Sequence, residues 1–576
     1  MRILSVDEVR AMEQAADDAG HSYAQMMALA GQGVAQAILE RVSLKEKRAL
    51  ILVGPGNNGG DGLVAGCHLA AVGVKVTAYL TRPREVEDDP VFKRAVEQGV
   101  DVVTLDEDEG CDRLQRLVIG VHVIVDALLG TGATPPLRGG IAQVLDVVQS
   151  ALKTANVRSL VSLNGPQPFP PASLGQQADL PWVVAVDGPS GMDFDSGEID
   201  PEALHADLTV TFGNPKSGHF RFPAAEFVGE LVVADIGIPP SILSCHPEAA
   251  CAWGRTICDL EVVSPAMVRA QLPQRPRDAH KGTFGRALIV AGSSNYTGAA
   301  ALAAAAAVRS GAGLVTLAIP DVIHSAILPL VPEATALLLP HVMGALSRGA
   351  APVLREHLEG YQVLLIGPGL SRTDETRRFL RAFLGIDAGK RRPGFLLEPQ
   401  GADEALSLPP LIVDADGLNI LSEIPDWPET LPPGAILTPH PGEMARLTGL
   451  ETADIQADRV GTARKYAEQW KHVVVLKGAF SVVAAPDGRV NLLPFANAGL
   501  ASAGTGDVLA GTIVSLCAQG LAAFEAAVAG AYLHGLAGEI ACVEYGMAGM
   551  AAGDVVRALP KALQRLSRSG LTLADL

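Results

Sequence analysis

The sequence is short of residues on which several classes of protein depend. Aromatic residues make up only 4% of the 576 residues, too few for the stacking platforms that bind single-stranded nucleic acids. Basic residues are also scarce, since 45 Lys and Arg stand against 63 Asp and Glu, giving a net charge of -18 at pH 7. Such a chain disfavours non-specific binding to nucleic acid or to an anionic membrane. The negative net charge does not exclude a small anionic ligand, because a few backbone N–H groups can bind an anion locally.

Targeting and membrane-spanning signals are not evident either. The first twenty residues carry acidic side chains and have no continuous apolar core, so no signal peptide is predicted. The longest apolar run, residues 299–308, is too short to span a bilayer. The seven cysteines include no CxxC pair, and the cluster of Cys245, His246, Cys251 and Cys258 matches no zinc spacing. We therefore predict a cytoplasmic protein with reduced thiols.

What the chain does contain is a regular alternation of short β-branched runs and helical stretches. This pattern is typical of parallel sheets with crossover helices, and the length favours two domains. The first series of predicted strands covers residues 49–54, 74–80, 121–130, 182–187, 208–213 and 229–239. The second covers residues 286–292, 314–320, 363–369, 411–419, 436–443 and 473–478, with a hairpin at 481–493.

The segment between the two series has no strong period, and we predict the domain boundary there. The predicted domains are residues 1–240 and 265–576, joined by a linker at 241–264. Residues 154–179 and 389–410 are rich in loop-forming residues and are predicted to be surface insertions.

The stretch "ILVGPGNNGGDG" follows a predicted strand and precedes a predicted helix. Three of its glycines match G-x-G-x-x-G, the context that binds a phosphate at a helix N-terminus. The next strand ends "AYLTRPRE", without the acid that would bind a ribose, which disfavours an ordinary dinucleotide site. A turn that needs glycine for positive φ explains the glycines but not Asn57, Asn58 and Asp61 together. We therefore predict a binding loop.

Two further predicted strands end in acidic residues. "VDALLGTG" leaves Asp126 at the end of one strand, and "VDGPSG" leaves Asp187 at the end of another, with Ser190 nearby. Ligands of open parallel sheets bind at the carboxyl edge. Because Asn58, Asp126 and Ser190 come from three separate segments, they predict a cation site with oxygen ligands.

The motifs "GNNGGDG", "DALLGTG…LRG" and "DGPSG" occur in this order, and residues 1–240 resemble the NAD(P)H-hydrate epimerases, which have a Rossmann-like three-layer α/β domain. The resemblance implies that Asp187 moves protons at C6 of the hydrated nicotinamide and that Asn58, Asp126 and Ser190 hold K⁺. Lys216 is a weaker candidate for balancing charge. The implied substrate contacts are Asn57, Asn58, Gly59, Gly60, Asp61, Gly130, Thr131, Gly132, Ala133, Thr134, Pro135, Pro136 and Asp187.

In the second half, "NAGLASAGTGDVLAG" (residues 497–511) is a Gly-rich turn that leads into a predicted helix. No G-x-x-x-x-G-K-[ST] motif occurs, but successive N–H groups in such a turn can bind an anion, which the helix dipole favours by roughly 0.3–1 kcal/mol. A merely structural Asp507 would repel a phosphate there. As a base it would accept a proton from a hydroxyl that attacks the phosphate. The alternative is that Asp507 caps the helix; the whole run favours catalysis.

Other fragments of the second half offer further candidates. "TPHPGEM" puts His440 in a rigid turn at a strand end, which favours a binding role. "LKGAFS" brings Lys477 and backbone donors towards a nucleotide phosphate. "VDADGLN" contains Asp414 and Asn419. The sequence does not distinguish a packing role for these two residues from contacts with magnesium or its water ligands.

The motifs "HKGTFGRALIVAGS", "GPGL", "DADGLN", "TPHPGE", "KGAFS" and "NAGLASAGTGD" also occur in order, and residues 265–560 resemble the ADP-dependent (S)-NAD(P)H-hydrate dehydratases of the ribokinase-like α/β fold. Thr505 stands where many relatives have serine and keeps the hydroxyl. The resemblance implies hydrate contacts at Ala299, Gly369, His440 and Asp507, and nucleotide contacts at Lys477, Gly478, Ala479, Phe480, Ser481 and Gly506.

Both halves together resemble the bifunctional NAD(P)H-hydrate repair enzymes. The resemblance implies that the first half interconverts the R and S hydrates. It implies that the second half dehydrates the S form with ADP as co-substrate and Mg²⁺ as cofactor, releasing AMP and phosphate. The expected partners are small molecules, with no nucleic acid and no membrane, and the alanine-rich helices suit a homo-oligomer as well as a monomer. One alternative is a ribokinase-like small-molecule kinase fused to a dinucleotide-binding module. Another is a non-enzymatic N-terminal binding module.

Overall fold

The computed structural model describes residues 1–43, 47–132, 134–159, 180–239, 242, 260–386 and 408–567. The greater part of both predicted insertions, and the cluster from Cys245 to Cys258, lie outside these residues. The chain divides into two compact units, Arg2–Cys258 and Asp259–Leu576, with Met1 grouped with the second.

The N-terminal unit is built on a seven-stranded sheet in the order β3-β2-β1-β4-β5-β6-β7, in which every neighbouring pair is parallel. The strands are nearly continuous apolar runs because both faces of a parallel sheet are covered. Their bounds are β1 (Arg48–Val53), β2 (Lys75–Leu80), β3 (Asp101–Thr104), β4 (Val123–Ala127), β5 (Trp182–Val186), β6 (Leu208–Phe212) and β7 (Glu230–Ala234).

Helices cover both faces of this sheet, so the predicted three-layer α/β architecture is confirmed. One core contains Val34, Leu63 and Phe92 packed against the sheet, and the core on the opposite face contains Leu114 and Val148. The helices are α1 (Val6–Asp18), α2 (Tyr23–Arg41), α3 (Asn57–Ala71), α4 (Pro90–Glu97), α5 (Asp112–Gly120) and α6 (Gly139–Ser159).

The C-terminal unit contains a ten-stranded sheet in the order β11-β10-β9-β14-β15-β16-β17-β18-β19-β8. It is parallel except where β18 pairs antiparallel with β17 and β19, and the β18–β19 pair is the predicted hairpin. The strands are β8 (Leu260–Val262), β9 (Arg286–Val290), β10 (Leu314–Pro320), β11 (Thr335–Leu339), β14 (Val363–Ile366), β15 (Leu411–Val413), β16 (Ile436–Leu437), β17 (Val473–Leu476), β18 (Val482–Ala484) and β19 (Val490–Leu492), with a separate small pair β12 (His341–Val342) and β13 (Ala345–Leu346).

The helices of this unit pack on its sheet around a large apolar core. They are α7 (Pro265–Gln271), α8 (Thr297–Arg309), α9 (His324–Ile327), α10 (Ala350–Glu356), α11 (Asp374–Phe383), α12 (Asp416–Leu421), α13 (Pro441–Thr448), α14 (Thr452–Ala457), α15 (Arg459–Trp470), α16 (Thr505–Ala518), α17 (Ala523–Tyr545) and α18 (Ala552–Ser567). By length and composition α17 could cross a bilayer, with a mean hydropathy of 1.4 over its most apolar window. However, 83% of that window is buried inside the protein.

In each sheet the strand order reverses at one point. The N-terminal sheet extends first to one side of β1, through β2 and β3, and then to the other side from β4. The C-terminal sheet does the same at β9, with β10 and β11 on one side and β14 on the other. Loops at the carboxyl ends of two such strands diverge and leave a crevice for a ligand. The predicted functional loops follow these strands and their neighbours in both units.

Candidate active sites

A cleft of about 790 Å³ opens at the carboxyl edge of the N-terminal sheet. Its walls come from α1, α2, the start of α3 and the loop after β4. Of the predicted substrate contacts, Asn57, Asn58, Asp61, Gly130, Thr131, Gly132 and Asp187 line it. Thr134, Pro135 and Pro136 do not line this cleft, and Ala133 lies outside the described residues.

Two of the predicted contacts, Gly59 and Gly60, are buried in the first turn of α3. A Cβ on Gly59 would overlap the carbonyl of Gly54, and one on Gly60 would lie 2.8 Å from the sulfur of Met27. Gly54, like Gly59, has negative φ. Glycine is therefore needed at Gly59 because the backbone approaches closely, and not because the turn requires positive φ, whereas the flexible end of Met27 can move away from a Cβ on Gly60.

Asn58, Asp126 and Ser190, the predicted cation ligands, lie together beside this cleft. Ser190 donates two hydrogen bonds to Asp126, from its hydroxyl to Oδ1 at 2.6 Å and from its N–H to Oδ2 at 2.8 Å. Asn58 Nδ2 donates to the carbonyl of Leu129 at 3.0 Å, and the N–H of Leu129 donates to Ser190 Oγ at 2.9 Å. The three side chains are thus held in one cluster.

Asp126 is completely buried. Burial raises the pKa of its carboxyl, although the hydrogen bonds from Ser190 oppose this effect. No ion pair of Asp126 with a lysine or arginine is present in the described parts of the chain. A buried carboxylate surrounded by neutral oxygen atoms fits a small cation, because the cation would supply the missing counter-charge.

Asp187 immediately follows β5 and adopts a φ of 66°, a left-handed conformation that is uncommon outside glycine. Thr211 Oγ1 and Lys216 Nζ both donate to its Oδ1, at 2.8 and 2.6 Å. Burial alone would raise the pKa of Asp187, but the Lys216 ammonium and these hydrogen bonds hold it below its usual value. Asp187 is therefore ionised at neutral pH, and within the described chain its Oδ2 receives no hydrogen bond, which leaves that oxygen available to a ligand.

His219 holds the backbone of Asp187 in place. The N–H of Lys216 donates to His219 Nδ1 at 3.0 Å, so the proton of the neutral ring is on Nε2, which donates to the carbonyl of Asp187 at 2.9 Å. Burial and the Lys216 ammonium lower the pKa of His219 to about 4. The ring is therefore neutral and acts here as a fixed hydrogen-bonding bridge.

In the C-terminal unit Asp507 lies in the first turn of α16. The N-cap of this helix is Gly504, with a φ of 89°, so the interpretation of Asp507 as the cap is wrong. The described residues provide no hydrogen-bond donor to the Asp507 carboxyl. Burial and the neighbouring carboxylate of Asp414 raise its pKa to about 7, although the Lys477 ammonium opposes them. Asp507 can therefore exchange a proton near neutral pH.

Lys477 joins several of the predicted site residues. Its Nζ donates to Asp414 Oδ1 at 2.8 Å and lies 3.7 Å from Glu443 Oε2. Burial alone would lower the pKa of Lys477, but the carboxylates of Asp414 and Glu443 raise it. A Cβ placed on Gly506 would lie 3.5 Å from Nζ. The ammonium is therefore positioned beside the Gly-rich turn in which Asp507 lies.

His440 is the N-cap of α13. Its Nδ1 accepts the N–H of Gly442 at 3.0 Å, and its own N–H donates to Glu443 Oε2 at 2.9 Å. Half of its side chain is exposed, and burial of the rest lowers its pKa. The neutral ring therefore presents Nε2 near Glu443 and Lys477 at the same edge of the sheet.

Ala299 and Gly369 also reach this edge. A Cβ on Gly369 would lie 2.7 Å from the Cβ of Ala299, and Ser293 Oγ donates to the carbonyl of Gly369 at 2.9 Å. One turn further along α8, Leu302 lies against Gly504, since a Cβ there would meet it at 2.6 Å. The predicted hydrate contacts thus lie next to the turn that carries Asp507.

The segment from Lys477 to Ser481, the predicted nucleotide contact, is a compact loop after β17. Ser481 Oγ donates to the carbonyl of Gly478 at 2.9 Å, and Phe480 has a φ of 50°. Arg459 Nη2 donates to the carbonyls of Leu476 and Lys477 at 3.0 and 3.3 Å. The loop, which begins at Lys477 and includes Ala479, is therefore held by hydrogen bonds from Arg459, the first residue of α15.

Comparison with known proteins gives a match in each unit. Residues 23–218 match the family described as YjeF-related protein N-terminus, and residues 287–561 match the family described as NAD(P)H-hydrate dehydratase. The bifunctional NAD(P)H-hydrate repair enzyme Nnr of Moorella thermoacetica is 37% identical over 92% of this chain and 89% of its own length. The enzymes of the same name from Thermofilum pendens and Escherichia coli are 33% and 30% identical, over 98% and 96% of this chain and 97% and 92% of their own lengths.

This chain belongs to the bifunctional NAD(P)H-hydrate repair enzyme family. The predicted family is thereby confirmed. Among solved structures, an ADP/ATP-dependent NAD(P)H-hydrate dehydratase from Bacillus subtilis, co-crystallised with ATP and Mg²⁺, is 31% identical over 53% of this chain and 98% of its own, with a TM-score of 0.43. A ribokinase-like superfamily protein from Enterococcus faecalis is 24% identical over 54% of this chain and 96% of its own, with a TM-score of 0.43.

The structure also brings residues into the repair-enzyme sites that sequence reasoning missed. Glu13 on α1 lines the N-terminal cleft, and His219 bonds to the backbone of Asp187. Glu443 faces Lys477 in the C-terminal unit. Glu443 stands inside the quoted motif "TPHPGEM", three residues after His440, and His219 stands three residues after Lys216, so closeness to a predicted site residue was a signal for both. Glu13 has no such signal, because only the tertiary fold brings α1 to the cleft.

Proposed function

We propose that this chain is a bifunctional NAD(P)H-hydrate repair enzyme. The N-terminal unit, assigned to residues 1–240, interconverts the R and S epimers of hydrated NADH and NADPH. The C-terminal unit, assigned to residues 265–576 after a linker at 241–264, dehydrates the S epimer with ADP and releases AMP and phosphate. Family membership supports both activities. The observation that carries the proposal is Asp507, whose carboxyl has a pKa of about 7, receives no hydrogen bond from the described residues and lies beside an ammonium and a Gly-rich turn.

In the N-terminal unit Asp187 is the base at C6 of the hydrated ring. Its Oδ1 is held by Thr211 and Lys216, which fixes the carboxylate and leaves Oδ2 for the hydroxyl at C6. The substrate contacts proposed for this unit are residues 57–61 and 130–136 together with Asp187. Those that line the cleft in the described part of the chain are Asn57, Asn58, Asp61, Gly130, Thr131, Gly132 and Asp187. Epimerisation follows when the C6–O bond is broken and re-formed on the other face, with Asp187 taking up a proton as the bond re-forms.

We assign Asn58, Asp126 and Ser190 as ligands of K⁺ in this unit. The fully buried carboxylate of Asp126 lacks a basic partner among the described residues, and the cluster offers oxygen atoms of the kind that K⁺ prefers. Bound K⁺ would supply positive charge next to the substrate and hold the loop after β4. The charge on Asp126 would then be compensated without a nearby lysine or arginine.

In the C-terminal unit Asp507 is the base for phosphoryl transfer. It takes the proton of the C6 hydroxyl as that oxygen attacks the β-phosphorus of ADP, and AMP leaves with the electron pair of the broken P–O bond. The C6–O bond then breaks with its electron pair on the departing phosphate, and the phosphate accepts the C5 proton as the C5=C6 double bond returns. Phosphate is a far better leaving group than hydroxide, which explains the use of a nucleotide.

The remaining predicted residues bind the two substrates. Lys477 and the loop to Ser481, together with Gly506, are assigned to the nucleotide phosphates, and Ala299, Gly369 and His440 to the hydrate. A Mg²⁺ ion fits this site only in part, because the described residues contain no group of three His, Cys, Asp or Glu side chains arranged to hold a metal. The buried Oδ2 of Asp414 has no hydrogen-bond partner in the part of the chain that the structure describes. It is the oxygen that would hold Mg²⁺, and the ion would balance phosphate charge and take most of its other ligands from the nucleotide.

The test is to incubate the intact protein with hydrated NADH and ADP. Repair predicts that the near-ultraviolet absorbance of reduced nicotinamide returns and that AMP is released in equal amount. The kinase alternative predicts a stable phosphoester and no recovery of absorbance, and that result would contradict the proposal. The substrates are small molecules, and a need for both ADP and K⁺ accords with a cytoplasmic location.

A further inference from the structure

The N-terminal cleft contains more acidic groups than its basic groups can neutralise. Asp187, Asp61 and Glu13 line it together with Arg10, and the buried Lys216 lies against Asp187. Lys216 is bonded to Asp187 at 2.6 Å and is 1% exposed, so its charge is committed to that carboxylate. The cleft therefore contains two further carboxyl groups.

Of these two, Asp61 is the more isolated from water and from positive charge. It is 8% exposed, whereas Glu13 is only half-buried and has Arg10 in its electrostatic surroundings. In the described parts of the chain no group donates a hydrogen bond to the Asp61 side chain. As the fifth residue of α3 it is also beyond the first turn, where free N–H groups stabilise an anion.

The charged groups that face Asp61 come from three other elements of the unit. Burial raises the pKa of Asp61 well above its ordinary value, and the carboxylates of Asp187 and Glu13 act in the same direction. The Lys216 ammonium opposes them but does not cancel them. The environments of Asp61 and Asp187 therefore differ in the way that separates an acid from a base in one site.

We propose that Asp61 is the general acid of the epimerase site and acts together with Asp187 as the base. The proposal rests on the epimerase activity assigned above and deepens it by naming the source of the proton. Hydroxide is a poor leaving group, so breaking the C6–O bond requires a proton on its oxygen. Asp61 is a buried carboxyl that lines the same cleft as Asp187.

The proton and electron pairs balance over one turnover. Asp61 gives its proton to the C6 hydroxyl while the electron pair of the C6–O bond leaves with water, and the lone pair of N1 forms a double bond to C6. Water then adds to the opposite face of C6, its oxygen supplying the new pair, and Asp187 takes the released proton. The proton returns from Asp187 to Asp61 through solvent in the open cleft, which restores the enzyme.

The test compares Asp61→Asn and Asp61→Glu in the full-length chain. The R and S hydrates of NADH are separated by chromatography, without ADP so that dehydration does not remove the S form. Asp61→Asn removes the acid and should slow exchange by about 10²–10⁴-fold. Asp61→Glu keeps a carboxylic acid and should recover at least about tenfold of that loss. Asp101→Asn, a matched loss of one charge at an exposed position on β3, should stay close to the wild type.

The pH profile separates an acid from a structural residue. An acid must be protonated, so the wild-type exchange rate should fall as the pH rises through the pKa of Asp61, and this fall should vanish in Asp61→Asn. ADP-dependent dehydration of the S hydrate should be unchanged in both variants, which reports that the C-terminal unit is intact, and wild-type hydrogen exchange of the peptide covering β1 reports that the N-terminal unit is folded. Exchange by Asp61→Asn within about threefold of the wild type, or an Asp61→Glu variant no faster than Asp61→Asn, overturns the acid assignment. A wild-type protein that exchanges no epimers overturns the epimerase assignment itself.

Discussion

Both units place a lysine against an aspartate at the carboxyl edge of the sheet, but the aspartate assigned as the base is paired in one unit and unpaired in the other. Lys216 Nζ lies 2.6 Å from Oδ1 of Asp187, the proposed base of the N-terminal site. Lys477 Nζ lies 2.8 Å from Oδ1 of Asp414, while the proposed base of the C-terminal site is Asp507. In each case a threonine hydroxyl donates to the same Oδ1.

The difference sets the proton affinity of the two bases. The ion pair holds the pKa of Asp187 below its usual value, whereas burial and the nearby Asp414 raise that of Asp507 to about 7. A weak base is sufficient where the C6–O bond is labilised by the ring nitrogen. A stronger base is needed where an alcohol must attack phosphorus, because the hydroxyl holds its proton tightly until the attack begins. A lysine–aspartate pair thus occurs in both units. In the N-terminal unit it includes the proposed base, and in the C-terminal unit it lies beside the proposed base.

The largest effect is expected from removing each base in turn. Asp507→Asn should lower ADP-dependent dehydration by about 10²–10⁴-fold, because the attacking hydroxyl loses its proton acceptor. Asp187→Asn should lower exchange of the epimers by a similar factor. Dehydration is measured from AMP release with pure S hydrate, and exchange from the ratio of the epimers.

Each variant is the control for the other. Asp507→Asn should keep the wild-type exchange rate, and Asp187→Asn should keep dehydration of the S hydrate. Loss of both activities in either variant would contradict the assignment of one base to each unit.

The next effect concerns the stability of the paired base. Lys216→Met leaves the buried Asp187 carboxylate without its counter-charge, which should destabilise the surrounding structure by about 3–5 kcal/mol. Because the pair lowers the folded-state pKa of Asp187, its contribution is present above the ordinary pKa and is lost as the pH falls through the folded value. Hydrogen exchange of the peptide covering β5 measures the loss.

The double variant Lys216→Met with Asp187→Asn provides the control for this prediction. It removes the stranded charge as well as the ammonium, so protection of β5 should return in large part. If Lys216→Met alone leaves the exchange of β5 unchanged, the ion pair does not stabilise the folded unit.

The sequence was sufficient for the fold class, for most strands and for the loops that carry Asp187 and Asp507, because glycine-rich strand ends are local signals. It missed β3, β8, β11 and the small pair β12 and β13. In β3, for example, only one of four residues is buried, and so short a strand has no apolar run. The alternative explanation of the glycines after β1, a turn with positive φ, is wrong for Gly54 and Gly59, which have negative φ, and a Cβ on them would overlap the carbonyls of Leu128 and Gly54. Contacts of this kind, and the approach of Glu13 to the cleft, depend on distant segments.

A smaller effect distinguishes two glycines near Asp507, one in the first turn of α16 and one further along the helix. A Cβ on Gly511 would overlap the carbonyl of Ala303, where α16 crosses α8, so Gly511→Ala should cost about 1–3 kcal/mol of stability. A Cβ on Gly506 would meet only Lys477 Nζ, at an ordinary 3.5 Å. Gly506→Ala should therefore leave stability unchanged and raise the KM for ADP, measured by steady-state kinetics alongside thermal unfolding. A raised KM in Gly511→Ala at unchanged stability would contradict the packing role.

The smallest effect is the pH dependence that the two bases impose. Asp507 must be ionised to accept a proton, so kcat/KM for dehydration should rise about tenfold per pH unit below a pKa of about 7 and level off above it. Asp187 is already ionised in this range because its pKa is lowered, so exchange of the epimers should show no such rise. Both rates are measured on one preparation between pH 5.5 and 8.5, roughly the range that brackets neutrality. A rise through neutral pH in exchange but not in dehydration would reverse the comparison, since it would mean that the paired aspartate, and not the free one, is the group that titrates.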